Sequence, residues 1–304
     1  MTKTIYAEVT QRAAEAKRSG RQVSVTGMLG KLGVSRSGFQ SWLKHTPSAT
    51  EKRKNAIKEK IQTIYNDSHQ NYGAPKITRI LQKNGETISE RTVGQYMQEM
   101  GIKARWIRPY TVTTKDSDFS HQLINILNEQ FNPDHPNAVW CSDITYIWTI
   151  DGFVYLTSIM DLFSRKIIAW TLSDTLEVSC VLETIQKAKV RRNMESPLIL
   201  HSDRGSQYVS AEYRKATSKM QLSYSRKAYP WDNACIESFH ALIKREWLNW
   251  FKIRDMDHAH QLVFEYIEAF YNSTRIHGHC DYQSPNDYED NYRKSIEANA
   301  RLAG

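Results

Sequence analysis

The N-terminal third of the chain repeats short apolar stripes at helical spacing, separated by polar turns. The pattern predicts one helix over residues 4–19 and a second over residues 25–32, which ends at Gly33. A third helix is predicted around Phe39 and Trp42. Two short helices joined by a tight glycine-containing turn make a helix-turn-helix, whose second helix can lie in the DNA major groove. The polar face of that helix would carry the candidate DNA-binding residues Arg36, Gln40 and Lys44. A structural helical hairpin without a DNA role is the alternative.

The same pattern recurs further along the chain. Ile77 and Leu81 give one apolar stripe, Gly85 ends that helix, and Ser89 is a suitable N-cap for the next. The second helix would expose Arg91. We interpret this segment as a second helix-turn-helix.

The stretch "KARWIRPY", residues 103–110, interleaves basic and aromatic side chains. Arg105 and Arg108 could hold a phosphate backbone while the neighbouring rings stack on bases. An ordinary interdomain linker is the simpler reading, and the polar run that follows fits it.

The periodicity changes after residue 136. Three runs rich in β-branched and aromatic residues, separated by "IDG" and "FSRK", predict three strands joined by two hairpin turns. Asp143 lies in the middle of the first strand, where aspartate is unfavourable. Such a violation of local preference is expected at functional sites.

A helix, a strand and another helix are predicted next. The segment "TLEVSCVLETIQKAKVRR" is amphipathic, and "PLILHSD" is a short buried strand with Asp203 at its carboxyl end. Open sheets place their chemistry at that end of parallel strands. Residues 209–220 then resume as helix after Gly205.

The last predicted helix of this region, "WDNACIESFHALIKREWLNWF", begins near Asp232 or Asn233. Glu237 and Lys244 are seven residues apart and lie along one line of it. The aromatic residues near its end are most simply core; they are Trp247, Trp250 and Phe251.

The charge of the chain is unevenly distributed. The net charge is +8, but residues 1–110 hold 20 Lys and Arg against 8 Asp and Glu, a balance of +12, and the rest is net acidic. A basic segment attracts polyanions, of which nucleic acid is the commonest for a soluble protein. A lysine-rich solvated helical surface is the alternative.

Four cysteines lie far apart and form no Cys-x-x-Cys pair, so neither a disulfide framework nor a zinc ribbon is indicated. No apolar run approaches the roughly 18 residues that span a bilayer, and no signal peptide is evident. We therefore expect a protein that acts in the reducing cytosol of the cell that makes it, and not at a membrane.

Several motifs together resemble one family. "WCSDITYI", "DLFSRKIIAW", "HSDRGSQY", "SYSRKAYPWDNACIESFHALIKRE" and "YNSTRIHGHCDYQSPNDYE" are similar, in this order, to the catalytic subunit of bacterial insertion-sequence transposases made from two overlapping reading frames. These are DDE transposases with a retroviral-integrase-like core. The resemblance implies an α/β fold, a ribonuclease-H-like mixed five-stranded sheet flanked by helices and preceded by all-α helix-turn-helix domains.

The resemblance also implies the domain plan and the site. The expected boundaries are a helix-turn-helix at 1–50, a second at 51–110, a linker at 111–130, the catalytic core at 131–290 and a C-terminal tail at 291–304. Asp143, Asp203 and Glu237 become the catalytic triad that binds two Mg²⁺ ions, which Mn²⁺ can replace. The gap between the second and third acids, residues 204–236, is slightly shorter than the family commonly has.

The implied partners are double-stranded DNA, namely the terminal repeats of the element and its target, further copies of the chain, and an upstream-frame protein or fusion. The implied reaction is metal-dependent cleavage and transfer of DNA strands. Lys244 would face DNA, and Arg275 and His277 match an Arg-x-His pattern that contacts DNA or packs helices.

Other readings of the sequence remain. Asp161 is expected to be structural. A Ser-His-Asp arrangement at 201–203 is disfavoured because neighbours on a strand point to opposite faces. "HGHC" lacks a second ligand pair at zinc spacing. The rival functions are a related integrase or nuclease, a helix-turn-helix regulator that has lost catalysis, and a tyrosine or serine recombinase that links covalently to DNA.

Overall fold

The structure, a computed structural model, describes residues 2–105, 123–192, 198–227 and 229–303. The helices are α1 (Thr2–Arg18), α2 (Val25–Lys31), α3 (Arg36–Leu43), α4 (Ala49–Asp67), α5 (Ala74–Lys83), α6 (Glu90–Glu99), α7 (Val178–Arg191), α8 (Ala211–Ala216), α9 (Ala234–Glu246), α10 (Met256–Phe264) and α11 (Pro285–Ala303). The strands are β1 (Val139–Thr149), β2 (Gly152–Asp161), β3 (Lys166–Ser173), β4 (Ile199–Ser202) and β5 (Gln221–Tyr224). The chain forms two compact units, Met1–Lys60 and Ile61–Gly304.

The first unit contains the three helices that the apolar stripes predict. Its core is a small cluster of buried side chains, Tyr6, Val9, Leu29 and Phe39. The Oγ atoms of Ser24 and Ser35 accept hydrogen bonds from backbone N–H groups in the first turns of α2 and α3. Gly33, with φ of +66°, makes the turn between those two helices in a conformation that favours glycine. The predicted helices are therefore confirmed here.

The second predicted helix pair, α5 and α6, opens the larger unit. Its apolar stripes are buried, at Ile77, Leu81, Val93 and Met97. Gly85 follows the end of α5 with φ of +87°, and the Oγ of Ser89 accepts a hydrogen bond from the N–H of Thr92 at 3.2 Å. Both the helix stop and the N-cap predicted from the sequence are confirmed.

A mixed five-stranded sheet with the order β3-β2-β1-β4-β5 forms the centre of this unit. The first three strands are antiparallel, as the two hairpin turns predict, whereas β4 and β5 run parallel to β1. This is the ribonuclease-H-like arrangement expected above.

Helices cover both faces of the sheet. The Oγ1 of Thr157 donates to the Sγ of Cys180 on α7, and Trp140 and Ile185 are buried in the core between α7 and the sheet. The next residue, Ser158, points to the opposite face, where its Oγ lies 3.3 Å from His240 Nε2 on α9. The sheet is therefore sandwiched between α7 and α9.

Two expectations need correction, and a third is narrowed. The helix predicted over 209–220 is only α8, because the chain turns back through Thr217 to begin β5. Of the two expected starts of α9, Asn233 is the cap residue, whereas Asp232 is buried and its Oδ2 accepts hydrogen bonds from the backbone and side chain of Arg226. Residues 291–303, expected as a tail, continue α11.

A buried ion pair ties the end of α9 to the segment after α10. Arg275 donates from Nε and Nη2 to the two carboxylate oxygens of Glu246, each at 2.7 Å, and Tyr266 adds a third hydrogen bond. The backbone of Ile276 donates to the hydroxyl of Tyr72, just before α5. The helix pair α5 and α6 is thereby joined to the sheet-containing part of its unit. Among the described residues, no helix is both long and apolar enough to cross a bilayer.

Replacing Arg275 by Met should destabilise the protein by about 3–5 kcal/mol, because the buried Glu246 carboxylate would lose its partner. Urea unfolding followed by circular dichroism measures this. Arg293→Met, which removes an exposed arginine paired with Asp290, is the matched control and should change stability little. Equal stability of Arg275→Met and the parent would contradict the structural role.

Candidate active site

Two acids stand side by side where the parallel pairing of β1 with β4 ends. The pairing of β1 with β4 aligns Cys141 with His201 and Ser142 with Ser202, so the next positions are Asp143 and Asp203. Parallel strands lie about 4.8 Å apart, and equal register gives both side chains the same face. The Asp143 side chain is 15% exposed. Both acids were predicted as site residues from the sequence, and the register of β1 with β4 makes them neighbours.

The third acid comes from α9. Its apolar side, including Ile236 and Phe239, is buried, whereas Glu237 lies on the more open side. Partial burial, together with the negative charges of Asp143 and Asp203, raises the pKa of Glu237 to about 7. The charges of all three acids therefore act on one another, although they belong to three separate elements.

A histidine and a lysine complete this side of α9. His240 Nδ1 lies 3.3 Å from the Oδ2 of Asp143. Lys244 Nζ lies 4.3 Å from the centre of the Tyr146 ring, and burial lowers its pKa while the Asp143 charge opposes that effect. His240 was not predicted from the sequence, although its spacing of three from Glu237 and four from Lys244 places it on the same face.

Tyr208 packs beneath the acids, on the opposite face of the sheet. It is fully buried, and its hydroxyl lies 3.0 Å from the Oγ of Ser142, the residue before Asp143. Burial and the charges of Asp143 and Asp203 raise the pKa of Tyr208. The phenol therefore stays neutral beside the acids, where it can serve only as a hydrogen-bonding and packing group.

The alternative chemistries find no support in the arrangement. His201 is buried between Ser223 and Ser225, which lie 2.9 and 3.3 Å from its two ring nitrogens, and burial lowers its pKa to about 4. Asp161 accepts hydrogen bonds from the backbone N–H groups of Asn137 and Phe163, as a structural residue does.

The side chains of the "HGHC" motif make separate contacts and do not meet at one point. His279 Nε2 lies 2.9 Å from the carbonyl oxygen of Phe163, and Cys280 donates to that of Ser164. In residues 2–105, 123–192, 198–227 and 229–303, no three side chains of His, Cys, Asp or Glu converge closely enough to form a metal-binding group.

The expected DNA-contact residues differ in exposure. Those on α3, at its C-cap and on α6 are exposed; they are Arg36, Gln40, Lys44 and Arg91. Arg105 is half-buried, and its guanidinium lies 4.5 Å from the centre of the Trp250 ring. Arg108 lies outside the described residues.

Arg275 and His277 are buried, with 5% and 8% of their surfaces exposed. The Arg275 guanidinium is paired with the Glu246 carboxylate. Burial and the Arg275 charge lower the pKa of His277. These positions favour the packing role over contact with DNA. By contrast, Trp250 and Phe251 were expected in the core but are 45% and 41% exposed, because α9 ends before them.

Comparison with known families adds three matches. A model described as an HTH-like domain matches residues 52–110. Two models described as integrase core domains match residues 133–230 and 218–285. The acids described above all lie within the two integrase-core matches.

Two curated relatives cover most of the chain. The transposase for insertion sequence element IS904 of Lactococcus lactis subsp. lactis (strain IL1403) is 36% identical over 245 residues, 80% of this chain and 97% of that protein. Transposase InsF for insertion sequence IS3A of Escherichia coli (strain K12) is 31% identical over 273 residues, 88% of this chain and 95% of that protein. Among solved structures, the catalytic core domain of BIV integrase matches 53% of this chain and 99% of its own, with 14% identity and a TM-score of 0.41.

Lys44→Ala should weaken binding to double-stranded DNA of any sequence and reduce the slope of log affinity against log salt by about one, because one phosphate contact is lost. Fluorescence anisotropy over a salt series measures both. Lys17→Ala, which removes an exposed lysine of α1, is the control and should bind like the parent. If both variants behave alike, α3 does not present the DNA-binding face.

Proposed function

The chain belongs to the IS3 family of insertion-sequence transposases, whose reaction is DNA transposition, and we propose that Asp143, Asp203 and Glu237 carry its chemistry. The observation that supports this most directly is the register of β1 with β4, which puts two of the acids on adjacent strands. The raised pKa of Glu237 supports the third.

The chemistry of these side chains suits divalent cations, although in the described part of the chain Asp143, Asp203 and Glu237 do not themselves converge into a metal-binding group. Carboxylate oxygens are the ligands that Mg²⁺ prefers, and Mg²⁺ leaves positions open for substrate phosphate oxygens. Burial together with two like charges raises the pKa of Glu237, so the site gathers negative charge that a cation would balance. Asp143, Asp203 and Glu237 would hold two Mg²⁺ or Mn²⁺ ions. When bound, such ions activate the attacking oxygen and stabilise the leaving oxygen of a phosphodiester.

The reaction consists of two displacements at phosphorus. Water first attacks a phosphodiester at the element end, which breaks the bond to the 3′ oxygen and releases a 3′-hydroxyl. That hydroxyl then attacks a target phosphodiester, joins the two strands and releases a second 3′ oxygen as the leaving group. No covalent bond to the protein is formed in either step.

The neighbouring side chains orient this site. His240 holds the Asp143 carboxylate from the side of α9, and Tyr208 fills the space behind Ser142. The Lys244 ammonium, placed against Tyr146 and within the field of Asp143, is positioned to contact a DNA phosphate near the reacting bond.

The remaining parts of the chain serve recognition. The exposed faces of α3 and α6 would bind the terminal repeats of the element, and the excess positive charge of residues 1–110 would strengthen this binding. Joining two DNA ends to one target calls for more than one copy of the chain. An upstream-frame partner or fusion would add further DNA contacts, and the protein would act on the nucleoid in the bacterial cytosol.

Glu237→Gln should abolish both cleavage and joining while DNA affinity stays nearly unchanged, because the substitution removes a metal-binding charge and preserves shape. The assay uses labelled DNA carrying the element ends, with Mg²⁺ or Mn²⁺. Glu212→Gln, which changes an exposed glutamate on α8, is the control and should keep parental activity.

Parental rates for Glu237→Gln would contradict the assignment of that residue. If the parent itself binds DNA but neither cuts nor joins it with either metal, the protein acts as a regulator or requires its upstream partner, and the proposed activity of this chain alone is wrong.

A further inference from the structure

An open pocket of about 320 Å³ lies away from the acids, where the loop after α4 meets the chain after α9. Its lining consists of amide, imidazole, guanidinium and aromatic groups, supplied by Asn66, His69, Gln70, Arg105, Trp247 and Phe251. The proposed transposition chemistry uses none of these side chains at the reacting phosphate. The pocket is therefore a separate feature of the fold.

Aromatic rings form one wall. The rings of Trp247 and Phe251 lie 5.6 Å apart, and Phe251 is 41% exposed. His69 meets the Trp247 ring edge-on, with 4.6 Å between the ring centres. An exposed ring on a fixed wall is suited to stack on another flat ring.

One lining residue has an unsatisfied donor. Trp247 is buried, and its Nε1 has no hydrogen-bond partner in the described part of the chain. The indole N–H groups of Trp140, Trp170 and Trp250 do have acceptors, respectively Asn137, Glu268 and the carbonyl of Arg245. Because this Nε1 is itself closed to solvent, Trp247 offers the pocket its ring and not its N–H.

A cation lies at the rim. The Arg105 backbone N–H donates to the carbonyl of Gln70 at 3.0 Å, so the arginine is fixed to the loop that lines the pocket. Burial and the Arg105 charge lower the pKa of His69, which leaves that ring neutral near pH 7. His69 and Gln70 both have positive φ, 52° and 67°, and their N–H groups donate back to the carbonyls of Asn66 and Tyr65, which closes the end of α4.

We propose that this pocket holds one unpaired nucleotide of the DNA substrate, with its base against Phe251 and its phosphate at Arg105. A nucleobase offers both a flat face for the exposed ring and polar atoms for the amides of Asn66 and Gln70. A purely apolar ligand would make no use of these amides or of the Arg105 charge. The choice of DNA as the source of the nucleotide rests on the proposed function.

The pocket stands at a defined distance from the acids. Trp247 follows Glu237 by ten residues along α9, which corresponds to about 15 Å at 1.5 Å per residue. Phosphates of one B-DNA strand are spaced about 3.4 Å along the axis, so this is the length of roughly four to five nucleotides. The captured nucleotide is therefore close to the reacting phosphate but not at it.

Photocrosslinking tests the proposal directly. The intact chain is irradiated with an octathymidylate that carries one 5-iodouracil, digested with trypsin and analysed by mass spectrometry. We expect the crosslink on the tryptic peptide 246–252, which contains Trp247 and Phe251, or on peptide 61–76, which contains Asn66, His69 and Gln70.

Binding measurements provide the second readout. Phe251→Ala should weaken octathymidylate affinity roughly five- to a hundredfold, the range for losing one base–aromatic stack. Arg105→Ala should lower the salt slope by about 0.7, the value for one phosphate on single-stranded DNA. Phe264→Ala, which removes a 52% exposed phenylalanine of α10 outside the pocket, is the matched control and should bind like the parent.

Crosslinks confined to other peptides, with parental affinity for Phe251→Ala, would overturn the pocket assignment. Glu237→Gln should crosslink like the parent, because the acids are not part of the pocket. If the parent crosslinks at peptide 246–252 but does not cut or join DNA, the nucleotide pocket is supported while the proposed activity fails, so the two proposals can be judged separately.

Discussion

The parallel pairing of β1 with β4 is the constraint on which the site depends. It aligns Ser142 with Ser202 and so makes Asp143 and Asp203 neighbours at the point where the paired register ends. A slip of one residue would turn one carboxylate to the opposite face of the sheet. The apolar side chains on either side of these strands fix the register, since they are buried against α7 and α9. The core therefore positions the acids as well as stabilising the fold.

A single helix connects the site to the rest of the larger unit. Near its beginning α9 carries Glu237 toward the acid pair, at its end Glu246 holds the buried Arg275, and just beyond it Trp247 begins the wall of the proposed nucleotide pocket. A rigid helix keeps such groups at fixed separations. A movement of α9 would thus change the acid site and the pocket together, and the buried ion pair opposes that movement.

Much of this arrangement could be predicted from the sequence because it follows local rules. Runs rich in β-branched and aromatic residues predicted the three antiparallel strands, and Asp143 was conspicuous because aspartate is unfavourable within a strand. Features that depend on distant partners could not be predicted in this way. Arg275 is buried because Glu246 meets it from another element, and Phe251 is exposed because the described part of the chain does not fold back over it. His240 was missed although its helical spacing marked it, because only the fold brings it to Asp143.

The most direct test of the account is the binding of Mn²⁺ to the full chain, followed by the loss of the free-ion electron paramagnetic resonance signal. We expect the parent to bind the ion and Asp203→Asn to bind it at least about tenfold more weakly, since removing a direct ligand should cost no less than removing its supporting contacts. Asp151→Asn, which changes an exposed aspartate at the β1–β2 turn, should match the parent. Identical titrations for the parent and Asp203→Asn would contradict the claim that the paired strands build a metal-binding acid site.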